Sequence, residues 1–504
     1  MWFLAFLTSL LGLSAVFTLA AHQQGLFDLY RNAPSSAHSM KPSSWRDTQT
    51  PFKLASFDPD SFKPFGQLSA LSDEFTTLTH PAFPKFSVRV KKSDFCDDTV
   101  AAYTGYIDIE ARHLFFYFFE SRNDPTKDDV VLWTNGGPGA SATVGLLMEH
   151  GPCRVVNSTA TKFHPESWNS NANIFFIDQP IGVGFSYAEY GETVSTTEQA
   201  AVDIAAFVAI FFEHFNQFKN RGFHMAGESY GSRYLPLFAS AVYDQNAKLL
   251  EVGMTPINLS SIMMDIRYLP LLRTSEDKRL TSPRSTCVRM KQAVPRCQKL
   301  LQASCIDVFD MIGCYEAMTI CEMELRAPLM ASGKTSRAIR TIFDRDAGGR
   351  CYPIRNVIDE YLAQPSLRKT LGVDPAVTAN RSISSDLVGH MFNDAGDTLH
   401  TSYDHVAALL ERDVSVLMYV GTYDWICNWL GNERWVGALE WSGRGQWEEN
   451  EERGWMVDGK EAGKTRSAGK LTWATIYGAG HMAPYDKPKE SLEMVNRWLA
   501  GEDL

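Results

Sequence analysis

The sequence predicts an α/β protein with a mainly parallel central sheet and helices on both faces. Short apolar segments alternate with helical ones from about Tyr103 onward, which is the pattern of strands joined by crossover helices. The 504 residues are 44% hydrophobic and 21% charged, with 35 Gly and 23 Pro. This composition is globular and excludes a disordered or collagen-like chain.

The predicted strands are short, continuous apolar runs, which is typical of strands buried on both faces of a sheet. They occupy residues 113–120, 129–134, 173–178, 223–226, 260–264, 415–420 and 471–478. Helices are predicted at 197–218, where Thr197 and Glu198 supply start signals, and at 234–243 and 490–499.

The N-terminal region predicts secretion. Residues 1–20 form an apolar run without a charge, followed by small Ala21 and polar residues, which favours a cleaved signal peptide over 1–21. A membrane anchor is the alternative, because the run is near the length of a bilayer span. Residues 22–85 are rich in Ser, Pro, Lys and Asp and predict a pro-segment or flexible extension.

The rest of the chain divides into a core interrupted by an insertion. We expect a first core part at 86–264, a cap at 265–352 and a second core part at 353–504. The cap is basic and breaks the strand–helix rhythm. Six of the nine cysteines lie in it, four of them within 25 positions, and disulfides are favoured over zinc because no CxxC pair is present. The four clustered cysteines are Cys297, Cys305, Cys314 and Cys321.

The net charge excludes one class of partner molecule, and two further sequence features concern covalent modification. A net charge of −11 argues against nucleic acid, because a phosphate backbone demands a basic face. The odd cysteine count leaves at least one thiol unpaired. In a secretory chain, Asn157, Asn258 and Asn380 are candidate glycosylation sites.

The chemistry-bearing motif is residues 227–231, Gly-Glu-Ser-Tyr-Gly. It follows a predicted strand and precedes a helix, so Ser229 is expected on a sharp turn with its hydroxyl exposed as a nucleophile. Asp424 and His481 each follow a later predicted strand, in the order Ser, Asp, His of an α/β-hydrolase. The carboxyl ends of parallel strands converge, so these three can form a catalytic triad.

Four motifs in this order resemble the serine carboxypeptidase family, in its carboxypeptidase Y-like form. They are Asn-Gly-Gly-Pro-Gly at 135–139, the serine motif, Asp-Trp-Ile-Cys-Asn-Trp-Leu-Gly-Asn at 424–432 and Gly-His-Met-Ala-Pro at 480–484. The resemblance covers roughly residue 88 to the C-terminus. It implies an α/β-hydrolase fold with an inserted cap, and a serine-type peptidase that releases C-terminal amino acids through an acyl-enzyme.

The resemblance assigns further roles. The backbone N–H groups of Gly137 and Tyr230 would form the oxyanion hole, Cys427 would be a free thiol near the pocket, and the substrate carboxylate would be held by a polar cluster. That cluster comprises Asn135, Glu149 and Glu228, lined by Trp133. Two crowded carboxyl groups cannot both ionise, so one would stay protonated and donate a hydrogen bond, which favours activity at acidic pH.

The sequence also departs from the family. Ala140 replaces the usual cysteine after Gly-Gly-Pro-Gly, and its usual partner region near 380–385 also lacks cysteine. After residues 260–264 the family reads Gly-Asn-Gly, whereas this chain reads Asp265-Ile-Arg. Family pairing implies nested cap bridges, Cys297 with Cys321 and Cys305 with Cys314. The pairing of the remaining four is left open: Cys96, Cys153, Cys287 and Cys351.

Three alternatives to the peptidase remain at this stage. A family acyltransferase would divert the acyl-enzyme to an alcohol, a secreted esterase would lack carboxylate recognition, and an impaired homologue would only bind or protect. We expect peptide or protein C-termini as substrates, with no metal or organic cofactor. No membrane or nucleic-acid partner is expected after signal cleavage. The expected compartment is the secretory pathway, vacuolar (lysosome-like) or extracellular.

Overall fold

A computed structural model describes residues 54–265, 284–328, 352–378, 382–424 and 427–504. The predicted signal peptide, Asn380, Cys351, the side chain of Cys287 and the divergent segment after Asp265 lie outside the described residues. Across the described ranges, no helix combines the length and apolar character needed to cross a bilayer.

The described residues form a central sheet of 13 strands, in the order β1-β2-β3-β4-β8-β5-β10-β11-β12-β15-β14-β13, with β9 paired to β4. A separate hairpin joins β6 and β7. The strands are β1 Thr76–Thr79, β2 Phe86–Lys92, β3 Ala102–Ile109, β4 Arg112–Phe119, β5 Val130–Thr134, β6 Cys153–Asn157, β7 Ala160–Phe163, β8 Asn173–Ile177, β9 Tyr187–Ala188, β10 Phe223–Gly227, β11 Leu259–Met264, β12 Ser415–Gly421, β13 Arg453–Val457, β14 Lys460–Ala468 and β15 Leu471–Ile476.

The centre of this sheet is parallel. Strands β8, β5, β10, β11, β12 and β15 pair in parallel with their neighbours, and all seven strands predicted from sequence are present. Both flanks are antiparallel, from β1 to β4 on one side and from β15 to β13 on the other. The predicted α/β fold is confirmed, and antiparallel flanks extend its parallel centre.

Helices cover both faces because the central strands bury alternate side chains on opposite sides. In β5, Val130 and Leu132 join one apolar cluster, whereas Val131 and Trp133 join another. The helices in the described ranges are α1 Thr197–His214, α2 Gly231–Glu251, α3 Arg284–Leu301, α4 Met311–Cys321, α5 Ile354–Leu362, α6 Pro365–Leu371, α7 Asp386–Asp394, α8 Tyr403–Glu411, α9 Trp429–Gly437, α10 Arg444–Glu449, α11 Ala483–Asp486 and α12 Pro488–Ala500. Short 3-10 or π segments occupy Pro59–Ser61, Leu68–Ala70, Gly145–Glu149, Trp168–Ser170, Asn216–Phe218, Gln302–Asp307, Glu322–Arg326 and Asp397–Leu399.

The folded part of the chain begins before the boundary predicted at residue 86. Strand β1 pairs with β2 along its whole length, and Leu68 and Leu78 are buried in the main core. Because residues 22–85 are polar overall, the few apolar residues that anchor the end of this segment to the core did not predict a folded element. Residues 54–85 therefore contribute to the sheet domain rather than forming a separate extension.

Six cysteines of the described residues form three disulfides. Cys297 pairs with Cys321 and Cys305 with Cys314 inside the cap, and Cys96 pairs with Cys153 in the core. The last pair was one of the arrangements left open by sequence.

Two of the three glycosylation candidates, Asn157 and Asn258, have exposed side chains.

Backbone pairing joins the two segments in which the family cysteines are absent. Ala140 and Ser384 form an antiparallel β-bridge. Ser385 N donates to Gly139 O at 2.8 Å, and Ser141 N donates to Ile383 O at 2.8 Å. Backbone hydrogen bonds therefore join the two segments that the family pattern joins by a disulfide.

We predict that the double substitution Ala140→Cys and Ser384→Cys forms a disulfide. Paired antiparallel Cα atoms lie about 4.5–5.5 Å apart, inside the range of about 4.4–6.8 Å that a disulfide accepts. The bridge should raise the free energy of unfolding by about 2–4 kcal/mol, measured by urea denaturation with and without reductant. Ala140→Cys alone is the control, and two titratable added thiols in the oxidised double variant would contradict the prediction.

Candidate active site

Ser229 lies on a sharp turn between β10 and α2. Its φ is +57°, the left-handed region that costs energy for any residue with a side chain. The turn is fixed by Gly231 N donating to Glu228 O at 2.8 Å and by Ser232 N donating to Ser229 O at 3.1 Å. This is the elbow geometry expected from the serine motif, and it leaves Ser229 8% exposed.

Gly136 allows a second loop to approach this elbow closely. A Cβ atom at Gly136 would lie 2.3 Å from Tyr230 N and 2.6 Å from Glu228 O. Any larger residue would therefore collide with the backbone on either side of Ser229. The sequence motif suggested turn glycines here, but only the structure shows what this glycine is packed against.

Asp424 and His481 are in direct contact. His481 Nδ1 donates to Asp424 Oδ2 at 2.7 Å, and both side chains are buried. The other oxygen, Asp424 Oδ1, accepts from Cys427 N at 3.1 Å. The carboxylate thus holds the imidazole ring with its second nitrogen, Nε2, available to another partner.

The loops carrying these two residues are fastened to each other. Tyr423 N donates to Ala479 O at 2.8 Å, and Gly478 N donates to Thr422 Oγ1 at 3.0 Å. A Cβ atom at Gly421 would lie 2.3 Å from Gly480 O, so only glycine permits this approach. The close packing of the ends of β12 and β15 therefore places the aspartate beside the histidine.

Ser229 and His481 line one cavity of about 340 Å³. The structure brings them to the same cavity but forms no hydrogen bond between their side chains within the described residues. Catalytic hydrogen bonds of this kind often tighten only when substrate binds. The cavity is also lined by α7 and the residue before it, including Ser385, Asp386 and His390.

The two suggested oxyanion donors belong to two different loops, the one after β5 and the turn that carries Ser229. Gly137 lines the cavity in the loop after β5, with a φ of +111° that favours glycine. Tyr230 follows Ser229 directly, and its hydroxyl donates to Asp397 Oδ2 at 2.5 Å. That contact anchors the first turn of α2, which carries the Tyr230 N–H.

A polar cluster borders the same cavity. Asn135 Nδ2 donates to Glu228 Oε1 at 2.8 Å and to Glu149 Oε1 at 3.4 Å. Trp133 Nε1 and Gly145 N in turn donate to Asn135 Oδ1, at 2.8 and 3.1 Å. These bonds fix the amide orientation. Asn135 and Glu228 line the cavity, whereas Glu149 and Trp133 are fully buried behind them.

The Asn135 amide bridges Glu149 and Glu228, since its Nδ2 donates to one oxygen of each buried carboxyl group. An ionised carboxylate has no donor, so this pair can donate a hydrogen bond only while one of the two carboxyl groups is protonated. Burial raises the pKa of Glu149 to about 7. Burial, together with the nearby carboxylates of Glu149 and Asp265, raises the pKa of Glu228 well above its usual range.

Asp265 is a fully buried residue to which the sequence assigned no role. It follows β11, between the strand of Ser229 and the strand of Asp424. Burial, followed by the carboxylates of Asp424 and Glu149, raises its pKa well above the usual range. The signal that could have located it was its position directly after a predicted central strand. Cys427 is also buried, and it takes part in none of the three disulfides of the described residues.

Proteins with similar sequences include carboxypeptidases from several fungi. A family model described as serine carboxypeptidase matches residues 95–501. Carboxypeptidase Y of Komagataella phaffii is 37% identical over 429 residues, 83% of this chain and 80% of the relative. Carboxypeptidase Y of Candida albicans is 37% identical over 434 residues, 84% of this chain and 78% of the relative.

A solved structure supports the fold. A prohormone-processing carboxypeptidase from Saccharomyces cerevisiae superposes with a TM-score of 0.68, covering 82% of this chain and 91% of that one. Its sequence is 22% identical, so this likeness concerns the fold alone.

We predict that Gly136→Ala lowers kcat by about 10²–10³-fold, because the added methyl group must displace the Tyr230 N–H. Steady-state kinetics on a peptide substrate measures the effect. Gly445→Ala is the matched control, since a Cβ atom there meets nothing within 4 Å. Equal kinetics for both variants would show that the contact with the elbow is unimportant.

Proposed function

The chain belongs to the serine carboxypeptidase family and is a serine-type carboxypeptidase, and we propose that it uses Ser229, His481 and Asp424 to release C-terminal amino acids at acidic pH. The observation that carries this proposal is the hydrogen-bonded cluster of Asn135, Glu149 and Glu228 beside the serine. A simple esterase would have no use for a proton-sharing carboxyl pair at this position.

The proposed acylation step begins with proton transfer from Ser229 Oγ to His481 Nε2 as the oxygen attacks the last peptide carbonyl carbon. The Asp424 carboxylate holds the imidazole and stabilises its positive charge. The carbonyl oxygen becomes an oxyanion that accepts from the N–H groups of Gly137 and Tyr230. Each such donor lowers the barrier by about 3 kcal/mol.

The remaining steps return the enzyme to its starting state. His481 gives its proton to the leaving nitrogen, the C–N bond breaks, and the terminal amino acid departs. Water then attacks the acyl-enzyme, with His481 again acting as base. The C–O bond to Ser229 breaks, the serine regains its proton, and the shortened peptide is released.

The proposed cluster selects substrates by their free C-terminal carboxylate. Asn135 Nδ2 and the proton held between Glu149 and Glu228 are the donors that an incoming carboxylate needs. Protonated carboxyl groups can bind a carboxylate that two ionised ones would repel.

The three disulfides of the described residues favour passage through an oxidising secretory compartment.

We predict that the purified, processed enzyme releases the terminal amino acid from a blocked dipeptide with a free carboxylate and only slowly from its C-terminal amide. Ser229→Ala should abolish the release by about 10⁵-fold or more, because the nucleophile is lost. Ser240→Ala on α2, the helix that follows Ser229, is the control. Equal rates on acid and amide would identify a general esterase or amidase, and amino-acid transfer to an added alcohol in preference to water would identify an acyltransferase.

We predict that KM for the free-acid substrate rises as the pH rises through about 7, the value to which burial raises the pKa of Glu149. Below that pH Glu149 is protonated and adds no charge, whereas above it Glu149 becomes a carboxylate that repels the substrate carboxylate. KM should then increase up to about tenfold per pH unit. In Glu149→Gln the titrating carboxyl group is replaced by an amide that cannot ionise, so this rise should flatten. A wild-type peptidase profile that is flat from about pH 4 to 8 would contradict the role of the pair.

A further inference from the structure

Asp265 carries a carboxyl group that the proposed peptidase chemistry does not use. It is 0% exposed, and neither oxygen receives a hydrogen bond from any atom of the described residues. A buried carboxyl group without a donor is costly, and such groups usually pair with a cation or bind a metal ion. The Asp265 N–H is satisfied by Gly227 O at 3.2 Å, so the backbone holds the residue firmly beside the serine strand.

Three other ligand-type side chains surround this carboxyl group. One ligand atom each from Asp265, Asp424, Cys427 and His481 lies within 4.8 Å of all the others, and all four residues are buried. The donors are two carboxylate oxygens, a sulfur and an imidazole nitrogen. They come from three adjacent strand ends, β11, β12 and β15, so the packed sheet fixes their spacing.

We propose that these four side chains form an inhibitory binding site for a divalent transition metal of the zinc class. Zn²⁺ takes four N, O and S ligands at about 2.0–2.3 Å in a tetrahedron, whose corners lie about 3.3–3.8 Å apart. The four donor atoms need only small movements to reach that geometry. His481 lines the active-site cavity, which gives an ion a path from solvent.

A metal ion bound at this site would inhibit the enzyme because two of its ligands, His481 and Asp424, are members of the proposed triad. The inhibitory role therefore rests on the proposed function. A bound cation would use the lone pairs of His481 and Asp424, so the imidazole could no longer accept the serine proton. Cys427 binds as a thiolate and releases its proton to solvent. Asp265 supplies the fourth ligand, and the family pattern has Gly-Asn-Gly where this chain has Asp265-Ile-Arg, so the complete set depends on a residue that departs from that pattern.

The test is a Co²⁺ titration of the purified full chain near neutral pH, followed by absorption spectroscopy. Cobalt replaces zinc in tetrahedral sites and reports thiolate ligation by a near-ultraviolet charge-transfer band. We expect one tight Co²⁺ per chain with that band, displaced by Zn²⁺. Asp265→Asn should weaken binding by about 10–100-fold, and Cys427→Ser should remove the band.

Glu149→Gln is the matched control, since it removes a neighbouring buried carboxyl group that is outside the ligand set. It should keep the band and bind Co²⁺ within about threefold of the wild type, because a ligand and not the general negative charge is responsible. Absence of the band in the wild type, or equal weakening by Asp265→Asn and Glu149→Gln, would overturn the site.

Activity is read separately from binding. Zn²⁺ should inhibit peptide release by the wild type at least tenfold more strongly than release by Asp265→Asn, in parallel with the binding constants. Tight Co²⁺ binding with unaffected peptidase rates would overturn the inhibitory role. If the wild type released no amino acid at all, the proposed function would fail, while the cobalt spectrum would still decide the metal site.

Discussion

The site depends on one constraint, the convergence of the carboxyl ends of neighbouring parallel strands at one edge of the sheet. Strands β5, β10, β11, β12 and β15 end there in consecutive positions. Residues separated by hundreds of positions along the chain meet because each directly follows one of these strands. Two glycines, Gly136 and Gly421, allow the loops to approach more closely than any side chain would permit.

Burial of acidic groups is the second physical theme of this edge. Glu149, Glu228, Asp265 and Asp424 all lie within it and are all nearly or completely buried. Each ionised carboxylate raises the cost of ionising the others, so the cluster must hold protons or bind a cation. In the proposed function, the same cost that disfavours ionisation supplies the hydrogen-bond donor for substrate recognition. In the proposed metal site, it leaves the Asp265 carboxyl group without a hydrogen bond from the described residues. The two proposals thus make substrate choice, pH dependence and metal sensitivity depend on one set of neighbouring charges.

The parallel centre of the sheet could be predicted from sequence because its strands are continuous apolar runs. The order of Ser229, Asp424 and His481 along the chain, each after a predicted strand, predicted that they lie at one site. It missed β1 and the start of the folded region, since the surrounding residues are polar and the anchors few. The partner of Cys96 could not be chosen, because pairing depends on the tertiary distance to Cys153. Asp265 was noticed only as a departure from the family, since its significance comes from strands that are distant in sequence.

The most direct test of the account is a crystal structure of Ser229→Ala with a free-acid peptide bound at acidic pH. We expect the terminal carboxylate to accept hydrogen bonds from Asn135 Nδ2 and from the proton shared by the two glutamates. The last peptide carbonyl should then lie beside residue 229, with its oxygen directed at the N–H groups of Gly137 and Tyr230. A terminal carboxylate bound away from Asn135 and Glu228, or directed to solvent, would contradict the central claim.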